Sequence, residues 1–353
     1  MNSDYSAVGL DRFRLCLRRP AMGSHFELVV DGDRPAAELR VLMDEAWELV
    51  QHLVDRLSAH VPASDICFIN EHAFARPVLV APDLFGLLRK AAETSDVTGG
   101  AFDVTIGPLA KLWGFFGREG RVPSVAEIDE AVARVGMGHV ELDPAARTIR
   151  LHRPGMEIDL GAIGKGFVID KVVEMLRRSG VTCALAQSGG SSIFALGAPP
   201  DGSDGWRVGL RPGGAATERL GVVELRDRAF GTSGDHEQHF VADGVRYGHV
   251  LDPRSGRPVG HRMSACCLGD SATRTDALST ALAVMGPDEA RRFCVQHGES
   301  AVVIDESGEG APVVEAIRCT IRPVAGPPQA MGICPLSLDA PSRDGKQTRG
   351  RHH

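Results

Sequence analysis

The sequence predicts a globular protein in which amphipathic helices and strands of antiparallel type both contribute to the core. Long segments carry apolar residues at helical spacing, most clearly residues 35–57. Shorter segments, such as 206–210 and 221–226, alternate apolar and polar residues, as antiparallel strands with one solvated face do. The chain has 353 residues, 43% of them hydrophobic and 24% charged, so it has enough apolar material for one large domain or two smaller ones.

Composition argues against several classes of protein. The net charge is −7 and there is no long basic run, so we expect no nucleic-acid partner. No stretch of about 18 apolar residues occurs, and the charged first 20 residues resemble neither a signal peptide nor an anchor. The eight cysteines lack CxxC spacing, which favours reduced thiols over zinc or disulfides. We therefore expect a cytoplasmic protein without a membrane span.

The first half of the chain is predicted to begin with a strand ending near Val30, followed by the helix over 35–57. Ser64 and Asp65 are expected to cap a short helical turn. Further helices are predicted over 82–98 and 123–135. Between them, residues 98–116 break every simple period, which is typical either of a functional loop or of a plain turn around a packed aromatic residue.

The second half is predicted to contain a hairpin, a helix starting in a glycine-rich run, and several strands. The glycine-bracketed segment 229–235 is expected to be a loop. Past residue 321 the chain is rich in Pro, Gly, Ser and Arg, which predicts a disordered tail. The other predicted elements are the hairpin 139–151, strands at 182–186, 193–196, 263–268 and 301–305, and a helix at 287–297.

Residues 271–286 read as a helix with a polar start, in which Leu278, Ala281, Leu282 and Met285 share one face. Asp276 and Thr280 are four residues apart, so their oxygens project from the same side of the helix. A carboxylate and a hydroxyl are hard ligands of the kind that Mg²⁺ binds. The alternative is an Asp favoured by the helix dipole and a Thr that bonds back to a carbonyl.

The run 159–170 contains glycines at 161, 164 and 166 but matches neither GxGxxG nor the P-loop pattern. It instead predicts a glycine-lined helix start, where backbone N–H groups and Lys165 can meet a phosphate. The alternative for Lys165 is a solvated surface charge.

Five short motifs occur in a fixed order, and together they resemble the ApbE-type flavin transferases, the FAD:protein FMN transferases, over roughly residues 20–320. The resemblance implies an α+β fold with mixed, mainly antiparallel sheets flanked by helices. The span of the resemblance predicts an N-terminal extension at 1–19 and a flavin transferase domain at 20–322, and the composition of the remainder predicts a disordered tail at 323–353. The motifs are Gly-Gly-Ala-Phe-Asp-Val-Thr-Ile-Gly-Pro-Leu with Leu-Trp-Gly-Phe, Asp-Leu-Gly-Ala-Ile-Gly-Lys-Gly, Gly-Thr-Ser-Gly-Asp, His-Val-Leu-Asp-Pro-Arg-Ser-Gly and Thr-Asp-Ala-Leu-Ser-Thr-Ala-Leu.

The resemblance further implies binding of FAD and Mg²⁺, and transfer of FMN through a phosphoester bond to a Ser or Thr of an acceptor flavoprotein, with release of AMP. Asp276 and Thr280 would ligate the metal through side chains, and Ala162 and Ser279 through backbone carbonyls. His249 matches the histidine implicated in transfer. The residues that fall where the family contacts FAD are Met22, His60, Ala101, Phe102, Asp103, Asp159, Lys165 and Leu251.

The chain departs from the family pattern at three places, one of them position 236, where a Tyr is common and this chain has a His. The family usually has Asn and then Gly-Gly-Asp in the 187–191 loop, where this chain has Gln187 and Ser191. Position 60, usually aromatic, is a histidine. Two alternatives therefore accompany the transferase: a Mg²⁺-dependent FAD pyrophosphatase that gives FMN and AMP, and a non-catalytic FAD-binding paralogue.

Overall fold

The structure is a computed structural model, and it describes residues 5–7, 13–32, 34–115, 120–212, 219–234, 239–308 and 310–323. All but residue 323 of the tail predicted over 323–353 lies outside these ranges. No helix in the described ranges is both long and apolar enough to cross a membrane.

The helices of the described residues agree closely with those predicted from apolar spacing, and the capping box of Ser124 and Glu127 is present. One short helix within 98–116 was not predicted, because its six residues are too few to show a period. The helices are α1 (Ala36–Leu57), α2 (Asp65–His72), α3 (Pro82–Val97), α4 (Gly107–Leu112), α5 (Val125–Val132), α6 (Gly164–Arg178), α7 (Ala272–Met285) and α8 (Pro287–His297).

The strands are β1 (Tyr5–Ala7), β2 (Phe13–Ala21), β3 (Ser24–Gly32), β4 (Val78–Leu79), β5 (Val140–Asp143), β6 (Thr148–Leu151), β7 (Ala184–Ser188), β8 (Ser192–Leu196), β9 (Trp206–Leu210), β10 (Gly221–Leu225), β11 (Arg228–Gly234), β12 (His239–Ala242), β13 (Val245–Gly248), β14 (Leu251–Asp252), β15 (Arg257–Pro258), β16 (Met263–Gly269), β17 (Ser300–Asp305) and β18 (Val313–Ile317). Nine of them form one sheet in the order β1-β2-β3-β7-β8-β11-β16-β17-β18, with every neighbouring pair antiparallel. Helices flank this sheet, so the α+β fold with mainly antiparallel sheets is confirmed. The expected domain start at residue 20 falls inside β2.

The prediction of a loop over 229–235 was wrong for residues 229–234, which form β11 near the middle of the large sheet. Glycines there were interpreted as turn signals. The structure gives Gly231 a different reason, because a Cβ at this position would overlap the backbone carbonyl of Thr275 in α7. A glycine within a strand thus marks the close approach of a helix. Asp235 lies outside the described residues.

Alternate residues of the large sheet supply two apolar clusters, one on each face. The first cluster packs the sheet against α1, α3, α6 and α7, and Trp47 borders it. The second lies between the sheet and the β9–β10 pair and contains Trp206. A third cluster joins α4, α5 and β14 around Trp113. Both faces of the sheet are therefore covered, which leaves the ends of elements to form a site.

Candidate active site

Helices α6 and α7 meet at their N-terminal ends. Ser271 caps α7 by accepting a hydrogen bond of 3.3 Å from the Arg274 N–H, whereas Ile163 offers no side-chain cap to α6. A Cβ at position 166 would overlap the carbonyl oxygen of Ala272, so the backbones touch there and Gly166 is required. The glycine-lined helix start predicted at 161–166 is thus packed directly against the start of α7.

Asp276 lies at this junction and is 2% exposed. Its Oδ2 accepts a hydrogen bond of 2.9 Å from the Gly166 N–H, and its Oδ1 accepts one of 2.7 Å from Ser192 Oγ. Desolvation raises the pKa of Asp276, and the positive charge of Lys165 opposes that shift. The carboxylate is therefore fixed in orientation, and its charge is incompletely compensated by the chain.

The sequence predicted one buried apolar face for α7, but the structure buries most sides of the helix. Leu278, Ala281 and Leu282 are buried as expected, but so are Asp276 and Ser279 on other sides. The reason is that α7 is packed by β11, β16 and α6 together. A carboxylate in such a position is costly to bury unless it is bonded or binds a cation.

The hydroxyl groups of Ser279 and Thr280 contact the Asp276 carbonyl, and the hydroxyl of Ser233 contacts both of them. Thr280 Oγ1 donates to the Asp276 carbonyl at 3.3 Å, which is the back-bonded arrangement of the alternative hypothesis. Ser233 Oγ shares hydrogen bonds of 2.9 Å with Thr280 Oγ1 and 3.0 Å with Ser279 Oγ. Ser233 was not identified from the sequence, although the Gly-Thr-Ser-Gly run in which it lies was the available signal.

Lys165 Nζ donates a hydrogen bond of 2.7 Å to Ser191 Oγ, so the residue that departs from the family pattern gives this ammonium a neutral partner.

The loop of Ser191 also contains Ser188, whose hydroxyl is buried and has no hydrogen-bond partner within the described residues. The same holds for Ser24 Oγ, which lies 2.8 Å from where a Cβ of Gly189 would stand. Ser24 ends the turn that contains Met22, which has a positive φ of 51°. Buried polar groups without a partner in the described residues fit the binding of a polar ligand.

A cavity of about 250 Å³ lies beside the start of the glycine run. Asp159 is on its wall; its Oδ1 accepts a hydrogen bond of 2.7 Å from Gly161 N–H, and its own N–H donates to the Val104 carbonyl at 2.7 Å. Burial raises the pKa of Asp159. The lining residues are Ala59, His60, Cys67, Asn70, Glu71, Gly107, Lys111, Glu157, Ile158 and Asp159. The structure therefore places His60 and Asp159 together.

Residues 101–103 are buried in the fold. Ala101 and Phe102 are each 1% exposed, and the ring of Phe102 is part of the first apolar cluster. Asp103 accepts hydrogen bonds of 2.8 Å and 2.6 Å from Thr105 and one of 2.8 Å from the Met137 N–H. These side chains have structural roles here, and their contacts with FAD stay predictions.

His249 is half-buried between β13 and β14, and Leu251 packs in the third apolar cluster. Their segment is held against residues 99–115 by a hydrogen bond of 2.8 Å from Trp113 Nε1 to the Gly256 carbonyl. Residues 99–115 are joined in turn to the glycine run by the Val104–Asp159 bond and by a parallel bridge at Ile106 and Glu157.

All five motifs thus form a connected set of segments. Asp276, Ser279 and Thr280 are linked directly by hydrogen bonds, Lys165 precedes the Gly166 N–H that bonds to Asp276, and Ala162 lies in the turn just before α6. The contacts that tie the His249 segment to this group run through residues 99–115.

The donor set at the junction suits a hard cation. Among the described residues, no group of three or more His, Cys, Asp or Glu side chains is arranged to hold a metal ion. One buried carboxylate, one hydroxyl and backbone carbonyls instead offer the oxygen ligands that Mg²⁺ binds with several waters retained. The incompletely compensated charge of Asp276 fits such a cation.

A protein-family model described as the ApbE family matches residues 22–304. An FAD:protein FMN transferase of Treponema pallidum is 35% identical over 283 residues, which cover 76% of this chain and 78% of the relative. One from Vibrio cholerae is 30% identical over 299 residues, which cover 83% and 88% of the two chains.

Solved structures agree with the sequence comparisons. The ApbE protein of Thermotoga maritima superposes with a TM-score of 0.77 at 30% identity, covering 86% of this chain and 96% of that one. The apo flavinyl transferase ApbE of Pseudomonas stutzeri gives a TM-score of 0.77 at 30% identity, covering 90% and 96%. The matched region includes all five motifs.

Proposed function

This chain belongs to the ApbE family, and from that premise we propose that it transfers FMN from FAD to a hydroxyl group of an acceptor protein. The acceptor is a flavoprotein that presents a Ser or Thr side chain. Its hydroxyl oxygen forms a new bond to the phosphorus of the FMN moiety, the pyrophosphate bond of FAD breaks, and AMP leaves. The product is a phosphoester.

The observation that carries the proposal is the junction of α6 and α7 at Asp276. Pyrophosphate cleavage requires charge neutralisation and positioning more than covalent catalysis. Lys165 stands at the start of α6 with only a hydroxyl as its hydrogen-bonded partner in the described residues. A cation at a helix N-terminus favours a phosphate group there.

Asp276 and Thr280 side chains, with the carbonyl groups of Ala162 and Ser279, would hold Mg²⁺. When bound, this ion supplies Lewis-acid polarisation of phosphate oxygens. Thr280 already points its hydroxyl toward the Asp276 backbone, where it shares a bond with Ser233.

Lys165 would stabilise negative charge on the phosphates as the bond breaks. The acceptor hydroxyl is a weak nucleophile, and its proton would pass to His249, because an imidazole nitrogen can accept a proton as a general base. The cavity at His60 and Asp159 would hold one end of the extended FAD molecule.

The proposal includes a cytoplasmic location. Its support is the chemistry of the cysteines, seven of which lie in the described residues as reduced thiols. Burial raises the pKa of Cys266 to about 11 and that of Cys294 to about 12, so both stay protonated and unreactive at neutral pH.

The test is incubation of the purified chain with FAD, MgCl₂ and a flavoprotein subunit that offers a Ser or Thr acceptor, followed by intact-mass spectrometry. We expect the acceptor to gain the mass of FMN less one water, and AMP to appear in equal amount. Chelation with EDTA should stop both, and added Mg²⁺ should restore them.

Two outcomes would contradict the transferase. Free FMN and AMP with an unmodified acceptor would identify the pyrophosphatase, in which water replaces the hydroxyl. Intact FAD that binds tightly and is never cleaved would identify the non-catalytic paralogue.

A further inference from the structure

Asp170 lies on α6, five residues beyond Lys165, and reaches across to the start of α7. Its Oδ1 accepts a hydrogen bond of 2.7 Å from the Ala272 N–H. Its Oδ2 accepts bonds of 2.6 Å from Ser271 Oγ, 2.9 Å from the Thr273 N–H and 2.6 Å from Thr273 Oγ1. The N–H groups of Ala272 and Thr273 lie in the first turn of α7, where the helix itself offers no acceptor. Asp170 of α6 supplies the acceptor for both.

Asp276 caps a helix start in the same way, but from α7 to α6. It lies on α7 and accepts the Gly166 N–H, which belongs to the first turn of α6. Since α6 has no side-chain cap of its own, Asp276 provides the cap that Ile163 cannot. Each helix therefore has its first turn capped by a carboxylate of the other, and we term Asp170 and Asp276 the reciprocal cap.

The two halves of the reciprocal cap depend on each other. Gly166 touches the Ala272 backbone without room for a Cβ, so the helix starts cannot shift relative to each other while both bonds persist. If the Asp170 bonds are lost, the first turn of α7 loses its anchor, and Asp276 is only one turn further along. The distance from Asp276 Oδ2 to the Gly166 N–H then changes.

We propose that Asp170 is a positioning residue that sets the orientation of Asp276 toward a divalent cation. This inference rests on the proposed function for the identity of the ligand, but its geometric part does not. Asp170 acts through α7 and touches neither metal nor substrate. Replacing Asp170 lowers both the affinity for the cation and the stability of the fold. The loss of affinity should be larger than the loss of stability explains.

The first test needs neither metal nor FAD. Hydrogen exchange at Gly166 is measured by mass spectrometry of peptides spanning 164–168 in the wild type, Asp170→Ala and Asp170→Asn. We expect exchange in Asp170→Ala to accelerate at least about tenfold, as a hydrogen bond to a charged group opens. Asp170→Asn should be intermediate, because an amide keeps one acceptor oxygen.

The second test is a titration of the wild type and both variants with Mn²⁺ as a spectroscopic substitute for Mg²⁺, followed by electron paramagnetic resonance of the free ion. Asp170→Ala should weaken Mn²⁺ binding at least about tenfold and Asp170→Asn less. Glu127→Ala is the matched control, because Glu127 also completes a helix cap by hydrogen-bonding to Ser124, at the start of α5. It should lower stability without changing either measurement at the site by more than about twofold.

Unchanged Gly166 exchange in Asp170→Ala would overturn the proposal, and so would equal changes in Asp170→Ala and Glu127→Ala. If Asp170→Ala fails to fold, Asp170→Asn decides in its place. Failure of the wild type to bind Mn²⁺ would contradict the metal assignment in the proposed function, and the exchange data would still decide the role of Asp170.

Discussion

Replacing Asp276 with asparagine should abolish metal-dependent turnover while leaving the fold nearly as stable as the wild type. Asparagine keeps one acceptor oxygen for the Gly166 N–H, and its amide can bond to the hydroxyl of Ser192. It also removes a buried negative charge whose desolvation raises the pKa of Asp276. The lost function is therefore the charge that a divalent cation requires.

The magnitudes separate this variant from Asp276→Ala. Alanine leaves two buried donors, the Gly166 N–H and the Ser192 hydroxyl, without their acceptor. Each unsatisfied group costs about 1–3 kcal/mol, and since the hydroxyl can rotate to another partner we expect a total loss of roughly 2–4 kcal/mol. Loss of the cation from the reaction is worth several kcal/mol, so turnover should fall about 10³-fold or more in both variants.

The assay combines urea unfolding with the FMN-transfer measurement by mass spectrometry. Asp276→Asn should unfold within about 1 kcal/mol of the wild type, and Asp276→Ala clearly below it. If Asp276→Asn retains more than about a tenth of wild-type turnover, Asp276 is not a metal ligand. If Asp276→Ala is as stable as the wild type, the capping of Gly166 contributes little.

Three further predictions concern other parts of the site. Gly231→Ala should destabilise the protein by about 1–3 kcal/mol in urea unfolding, because the new Cβ overlaps the backbone of Thr275. Lys165→Gln should lower kcat/KM for FAD about 10²–10³-fold in the transfer assay, because a cation is removed from the phosphates. Burial raises the pKa of Asp159 above its ordinary value of 3.8, so the folded state holds that proton more tightly. The contribution of Asp159 to the free energy of unfolding should then fall as pH rises from 3.8 to the raised pKa, and it is measured as the difference in that free energy between the wild type and Asp159→Asn.

Each of these has a matched control. Gly86→Ala lies in α3 with nothing within 4 Å of its new Cβ, and it should be neutral or stabilising. Lys171→Gln is on the outer part of α6, where it pairs with Glu174, and should leave kcat/KM within twofold. Asp201→Asn should show the opposite sign to Asp159→Asn, because hydrogen bonds from Ser203 lower the pKa of Asp201. A variant that behaves like its control contradicts the corresponding prediction.

The elements with a strong period were predictable from sequence. In α1 the residues Leu39, Met43, Ala46, Val50 and Leu53 are all buried, as helical spacing requires. Alternation also identified residues 206–210 and 221–226 as strands, and the structure shows that these strands, β9 and β10, pair with each other. Such a pattern shows which face of an element packs on the core. It can therefore be read from that segment alone, without the rest of the chain.

The glycine at position 231 shows where local reasoning fails. A turn and a close helix contact both demand a residue without a Cβ, so the letter alone does not separate them. Likewise the bond from Gly166 to Asp276 spans 110 residues, and a backbone N–H leaves no mark in the sequence. Ser192 and Asp170 were missed for the same reason, since their partners lie on distant segments.

The site residues implied by the family resemblance lie in different surroundings in the structure. The structure joins Asp276, Ser279 and Thr280 through hydrogen bonds and places Lys165 next to Gly166, whose N–H bonds to Asp276. Spacing within α7 alone could not establish the contact with α6. Phe102 is committed to the core. A motif match identifies positions, whereas packing determines which atoms of those positions are accessible to a ligand.

The distribution of the three tryptophans has a practical consequence for following the folding of this protein. Trp47, Trp206 and Trp113 belong to three different apolar clusters. Variants that keep one tryptophan each would report fluorescence from one cluster at a time. Coincident unfolding curves would show that the whole domain melts as a unit, and an earlier transition at Trp113 would show that the segment bearing His249 opens by itself.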